Sequence, residues 1–172
     1  KLLKIFASAL KNLNLKFAWI VNSEDGLDEI SPYAKTHVVQ LKNNEISEFN
    51  IDPNELNVNA DKFENLIGND AKFNSDKILN IFQGEDNDFS KAVCLNAAAG
   101  LMISEKYNDF KVAYNFSTDF IKSGSAFEYI RNLQNVWKCS LENYWTKKIK
   151  IQKLKNETDI SSLLKNISEQ DF

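Results

Sequence analysis

The chain has 172 residues, 43% of them hydrophobic, and a formal net charge of −3 at pH 7. That is enough apolar side chain for one domain with a core of its own, and it excludes intrinsic disorder. The small charge excludes a strongly polyanionic or polycationic partner, nucleic acid among them.

The two cysteines, Cys94 and Cys139, have the spacing of neither a metal site nor a redox pair, and Cys94 lies in an apolar run. A reducing, cytoplasmic setting is expected. The first residue is Lys1 and the single methionine is Met102. The sequence is therefore expected to be a processed product, an excised domain or a fragment.

Taken in order, Leu2, Leu3, Phe6, Ala9, Leu10 and Leu13 fall at helical spacing and predict an amphipathic helix over 2–13. Ala7-Ser8-Ala9 has the look of a signal cleavage site. Lys4, however, leaves less than the ~7–15 apolar residues of a signal core. No later run approaches the ~18 apolar residues of a membrane span, so no membrane partner is expected. Lys16–Val21 is a nearly continuous apolar run, as expected for a strand buried on both faces of a parallel sheet.

That strand empties into Glu24-Asp25-Gly26-Leu27-Asp28-Glu29-Ile30-Ser31-Pro32, four carboxylates within six residues. Magnesium takes oxygen ligands and is often held by one or two carboxylates together with substrate phosphates. Adjacent Asp28 and Glu29 suit it if the backbone turns there, and Gly26 permits such a turn. By charge pattern alone these read as ordinary surface acids in a loop. Their place after the end of a buried strand favours ligand binding.

Thr36–Lys42 and Glu45–Ile51 around Asn43-Asn44 predict a hairpin, because Asn tolerates the positive φ of tight turns. Asp52-Pro53 breaks the sheet pattern. Helices follow over 61–67, stopped by Gly68, then 74–83, 88–103, 110–121 and 126–133. His37, the single histidine, has no evident second ligand and is expected to be structural. No nucleophile elbow and no glycine-rich phosphate loop is present. Five lysines between Lys147 and Lys155 predict a solvated helix face within a helical tail over 136–172, with a boundary near Asn135.

Val21-Asn22-Ser23-Glu24-Asp25-Gly26-Leu27-Asp28-Glu29-Ile30-Ser31 closely resembles the strand-and-turn motif of anthranilate phosphoribosyltransferases, V-H-G-x-x-G-L-D-E-[IL]-[ST]. The hairpin with Ile51-Asp52-Pro53, the Leu95-Asn96-Ala97-Ala98-Ala99 helix and Asp119-Phe120-Ile121-Lys122-Ser123-Gly124-Ser125-Ala126 agree in order and spacing. The likeness covers about residues 1–133. The related pyrimidine nucleoside phosphorylases share the fold, but the G-L-D-E and N-A-A-A runs favour the anthranilate enzyme.

The resemblance implies an α/β fold for residues 1–135. They would be the C-terminal part of a phosphoribosyltransferase-type α/β domain, with a buried strand and a β-hairpin packed with helices. It implies transfer of the phosphoribosyl group from phosphoribosyl pyrophosphate to anthranilate, with release of pyrophosphate, in tryptophan biosynthesis. It implies Mg2+ held at Asp28 and Glu29, and is compatible with a homodimer. Asp25 and Glu24 would orient those ligands by proximity. No catalytic residue is assigned. The substrate-binding residues and the glycine-rich diphosphate loop are expected upstream of Lys1, so residues 1–172 by themselves are expected to be inactive. Asn22-Ser23 departs from the family's His-Gly, and the tail has no counterpart there. The contrasting expectation is a non-catalytic module that uses 136–172 as a docking arm.

Overall fold

The computed structural model describes residues 2–134. The chain divides into two units, Lys1–Phe127 and Glu128–Phe172. Of the second unit, residues 128–134 are described, and they are helical. The expected tail helices, the lysine cluster and Cys139 lie outside the described residues.

The first unit is built from α1 (Leu2–Asn12), β1 (Phe17–Ser23), β2 (Thr36–Lys42), β3 (Glu45–Ile51), α2 (Ala71–Phe82), α3 (Asp88–Ile103) and α4 (Phe110–Lys122). The strands form one sheet in the order β1-β2-β3, antiparallel at both pairings. This corrects the expectation that β1 sits in a parallel sheet, as far as the described residues go. A parallel crossover normally carries a helix. Residues 24–35 contain none, so the chain folds back and β2 pairs Val38 with Val21 and Val39 with Ile20. β1 is also less buried than its apolar run suggests, with Phe17–Val21 all half-buried.

Side chains alternate across the central strand. Val38 faces a core made with Ile30, Ile51, Val58, Leu95 and Ala99, against which Trp19, Val21, Phe110 and Tyr114 pack. Trp19 makes an edge contact with Phe49, ring centroids 5.2 Å apart, and donates from Nε1 to Gln40 Oε1 at 2.9 Å. Val39 and Leu41, also fully buried, face the other way. On that side lies α1, whose Lys4 pairs with Glu48, the register partner of Val39, at 2.7 Å. The sheet is thus a middle layer with α1 on one face and α3 on the other.

The hairpin has the predicted bounds, and Asn43 (φ 50°) and Asn44 (φ 68°) both take the left-handed conformation its turn requires. On α1 the inward face is Leu3, Ala7 and Leu10, one helical stripe, while Leu2, Phe6 and Leu13 are exposed. The apolar side chains of α1 therefore lie on two faces, and only one of them meets the sheet.

Over 61–67 the predicted helix shrinks to a 3-10 turn, Phe63–Leu66. The segment is tied to α3: the backbone N–H groups of Asp61 and Lys62 donate to the Asp88 carboxylate at 3.1–3.3 Å. α2 begins three residues earlier than predicted because Asp70 caps it, accepting from the Phe73 N–H at 2.8 Å. α3 has its predicted bounds and opens on a capping box between Asn87 and Ser90. Its Ala98 and Ala99 are buried, which lets the helix lie close to its neighbours.

Candidate metal centre

The acidic loop has no regular secondary structure, yet its backbone is held nearly residue by residue. The N–H of Gly26 donates to the Ser23 carbonyl at 3.1 Å, and that of Ser23 to the Leu27 carbonyl at 2.9 Å. Gly26 sits at φ +94°, which costs glycine little and a side-chain residue considerably more. The N–H of Glu24 donates to the Lys35 carbonyl at 2.9 Å, closing the loop at its base.

Beyond the turn the chain runs inward. Ile30, Ser31 and Pro32 are fully buried. Ser31 donates from its N–H to Thr36 Oγ1 at 3.1 Å. Its hydroxyl donates to Asp25 at 2.5 Å and accepts from the Tyr33 N–H at 3.0 Å. The Ile30 N–H donates to Asn96 Oδ1 at 3.0 Å, and Asn96 Nδ2 returns a bond to the Ile30 carbonyl at 3.1 Å. A single side chain of α3 thus satisfies both main-chain groups of the residue after Glu29.

The four carboxylates therefore separate. Asp25 turns into the loop, accepting from Ser31 and from the Leu27 N–H at 3.2 Å. Burial alone raises the pKa of its carboxyl, but bonds from Ser31, Ser23 and the Leu27 backbone outweigh it and hold the group below the usual carboxylate range. Its geometry is that of a loop-closing group. Asp28 and Glu29 are exposed, and among the described residues neither side chain makes a hydrogen bond or an ion pair. Glu24 is exposed as well, and its contribution to the loop is its main chain.

The donor set fits magnesium: two adjacent oxygen-bearing side chains open to solvent on a braced backbone. Among the described residues no group of three or more His, Cys, Asp or Glu side chains is arranged to hold a metal. His37 lies in β2 opposite Asn22 and is bonded to Asn50 and Glu48 at 3.1 Å. Ser23, the residue in place of the family glycine, is buried at the end of β1 with φ outside the left-handed region, so the turn closes without a glycine there.

Three residues of this surrounding escaped the sequence reading. Asp88 is 4% exposed and accepts from Asn65 Nδ2 at 2.8 Å, Tyr33 Oη at 2.9 Å and Lys91 Nζ at 3.0 Å, besides the two backbone groups above. Burial opposes its charge, but these donors together push its pKa far below the ordinary value. The single Tyr33 hydroxyl proton lies between Asp88 and the Lys62 carbonyl, and burial followed by the bond to Asp88 raises its pKa well above that of free tyrosine. Asn96 is the third. Its signal was present, a helix-disfavoured side chain in the middle of an alanine run, but its contact spans 66 residues of sequence.

Residues 1–127 match the family model described as "Glycosyl transferase family, a/b domain". Over 136 residues the chain is 68% identical to an anthranilate phosphoribosyltransferase of Pelagibacter ubique, which covers 79% of this chain and 41% of that protein. The chain spans about two fifths of the length of the curated relatives it matches. Among solved structures it superposes on anthranilate phosphoribosyltransferase from Thermus thermophilus with a TM-score of 0.68 at 24% identity, covering 76% of this chain and 38% of that one. The enzyme from Saccharomyces cerevisiae in complex with PRPP and Mg superposes with a TM-score of 0.56 at 22% identity, covering 64% of this chain and 32% of that one. At these identities the structural likeness speaks for the fold. The family match runs unbroken from α1 through α4, and the chain belongs to the glycosyl transferase family, with residues 1–127 in its a/b domain.

Proposed function

We propose that the whole protein transfers the phosphoribosyl group from phosphoribosyl pyrophosphate to anthranilate, releasing pyrophosphate, and that Asp28 and Glu29 hold the magnesium this chemistry uses. The observation that carries the site assignment is the separation of the acids. Two are exposed and without side-chain partners among the described residues, on a backbone the rest of the loop fixes. The substrate assignment is supported by the 68% identity to a relative of that name. Tryptophan biosynthesis and a cytoplasmic setting belong to the same reading, and a homodimer is carried with it from the family resemblance.

Chemically, the aromatic amine displaces pyrophosphate at the anomeric carbon of the ribose, so negative charge grows on the departing oxygens. Magnesium bound with the pyrophosphate supplies Lewis-acid stabilisation of that charge. Asp28 and Glu29 contribute two anionic oxygen donors at the rim of the loop. Asp25, Ser31 and Thr36 hold the main chain that carries them, so little reorganisation is needed when a cation arrives.

The test is the double variant Asp28→Ala with Glu29→Ala in the full-length enzyme. kcat/KM is expected to fall on the order of a hundredfold or more, the size of effect seen when charge-stabilising groups are lost. Circular dichroism and the melting transition should stay as in the wild type, because neither side chain supports the fold. Wild-type turnover by the double variant would remove the assignment.

A further inference from the structure

We propose that Asn96 is a positioning residue for the metal-holding pair: its amide fixes the backbone at Ile30 and thereby sets the direction in which Asp28 and Glu29 present their carboxylates. The proposal rests on the reading of that pair as metal-holding.

Asn96 lies mid-helix in α3, far from either end, so it caps nothing. Asparagine is a poor interior helix residue, and its presence needs a contact that offsets its propensity. The contact is the Ile30 main chain. Oδ1 accepts from the Ile30 N–H at 3.0 Å, and Nδ2 donates to the Ile30 carbonyl at 3.1 Å and to the Ala92 carbonyl at 2.9 Å. Only one orientation of the amide works. Exchanging O and N would set donor against donor at the Ile30 N–H and oxygen against both carbonyls. The bond to Ala92 therefore locks the face the amide shows to the loop.

Ile30 is anchored twice. Its side chain is buried with Leu95 and Ala99, the neighbours of Asn96 on α3, and its main chain is gripped by Asn96. Directly before it come Glu29 and Asp28, whose side chains touch no polar partner among the described residues. Their direction is inherited from the backbone on either side, and on the C-terminal side that backbone is Ile30. Outer groups that orient metal ligands typically carry ~10–100-fold of metal affinity.

The experiment uses the full-length enzyme with Asn96→Asp, which keeps the shape and removes both N–H donors, beside Asn96→Ala. Mn2+ binding in the presence of pyrophosphate is measured by electron paramagnetic resonance, and Mg2+ is titrated in steady-state assays. Both variants should raise the Mn2+ Kd and the half-saturating Mg2+ by about tenfold or more, while the KM for anthranilate moves less than about twofold. A purely structural role would lower the melting temperature and leave the Mn2+ Kd of the folded fraction unchanged, and that result overturns the proposal. If Asn96→Ala does not fold, Asn96→Asp alone decides. The Asp28→Ala, Glu29→Ala double variant separates the two levels. If it weakens Mn2+ binding and the Asn96 variants do not, only the role of Asn96 fails. If it leaves Mn2+ binding intact, the metal assignment itself falls, and the positioning role with it.

Discussion

Asp88 and the Asp28–Glu29 pair are carboxylates in one small unit with opposite fates. Asp88 is buried at the start of α3 and is surrounded by five donors, which tie Tyr33 and the 61–65 segment to the helix and include Lys91 Nζ of the helix itself. Asp28 and Glu29 are exposed, and the loop is braced around them without using them. A carboxylate that has satisfied its acceptors inside the protein has little to offer a cation. One with no internal partner does little for folding and leaves its oxygens open to a ligand. The contrast separates acids that build the structure from acids that the structure displays.

The largest expected effect tests the first kind. Asp88→Asn keeps the size of the side chain but replaces acceptor capacity with an NH2 that faces other donors. Loss of such a buried, multiply bonded charge costs on the order of 3–5 kcal/mol, readable as a lowered urea midpoint at unchanged slope. Asp28→Asn should change stability by no more than about 0.5 kcal/mol, as for exposed positions without partners. Comparable losses at the two positions would erase the distinction.

A second test uses pH. The Asp88 and Asp25 carboxyls are both held below the usual range in the folded state. The unfolded chain, with carboxyl pKa values of about 3.9, therefore takes up these protons first as pH falls. Their contribution is fully present above that value and is lost as the solution becomes more acidic. Urea midpoints measured from neutral pH down to about pH 3 should fall steeply for the wild type and less steeply for Asp88→Asn. Parallel curves would show that Asp88 is not a source of the acid sensitivity.

Where a feature depends on residues close in sequence, it was legible. The hairpin could be bounded to the residue because Asn43-Asn44 specifies the turn and the flanking strands alternate. α3 could be bounded because its cap is local, Asn87 to Ser90. The errors lie where distant groups compete with local preference. The predicted 61–67 helix is a 3-10 turn, Phe63–Leu66, in a segment whose Asp61 and Lys62 N–H groups bond to Asp88, 27 and 26 residues away. The inward face of α1 was misjudged because both of its sides are apolar, and the sheet selects one of them. Asn96 was quoted as part of a motif, but its partner is 66 residues distant and no periodicity announces it.

A last test probes a region free of both roles. Asn44 lies at φ 68° in the hairpin turn, where a residue with a Cβ carries a steric cost that asparagine only partly escapes. Asn44→Gly removes that cost at the position the tight turn favours for glycine. The gain in stability should be a few tenths to about 1 kcal/mol, since glycine also enlarges the freedom of the unfolded chain. Asn44→Ala should lose about 1–2 kcal/mol, because alanine has neither the conformational freedom of glycine nor the local polar contacts of asparagine. Neither change should alter Mn2+ binding in the full-length enzyme. The turn joins β2 to β3 at the end of β2 opposite Thr36, whose hydroxyl braces the acidic loop. A change in metal affinity from this position would mean that the sheet as a whole transmits strain to the loop. The independence of the two kinds of acid would then hold only while the sheet is undisturbed.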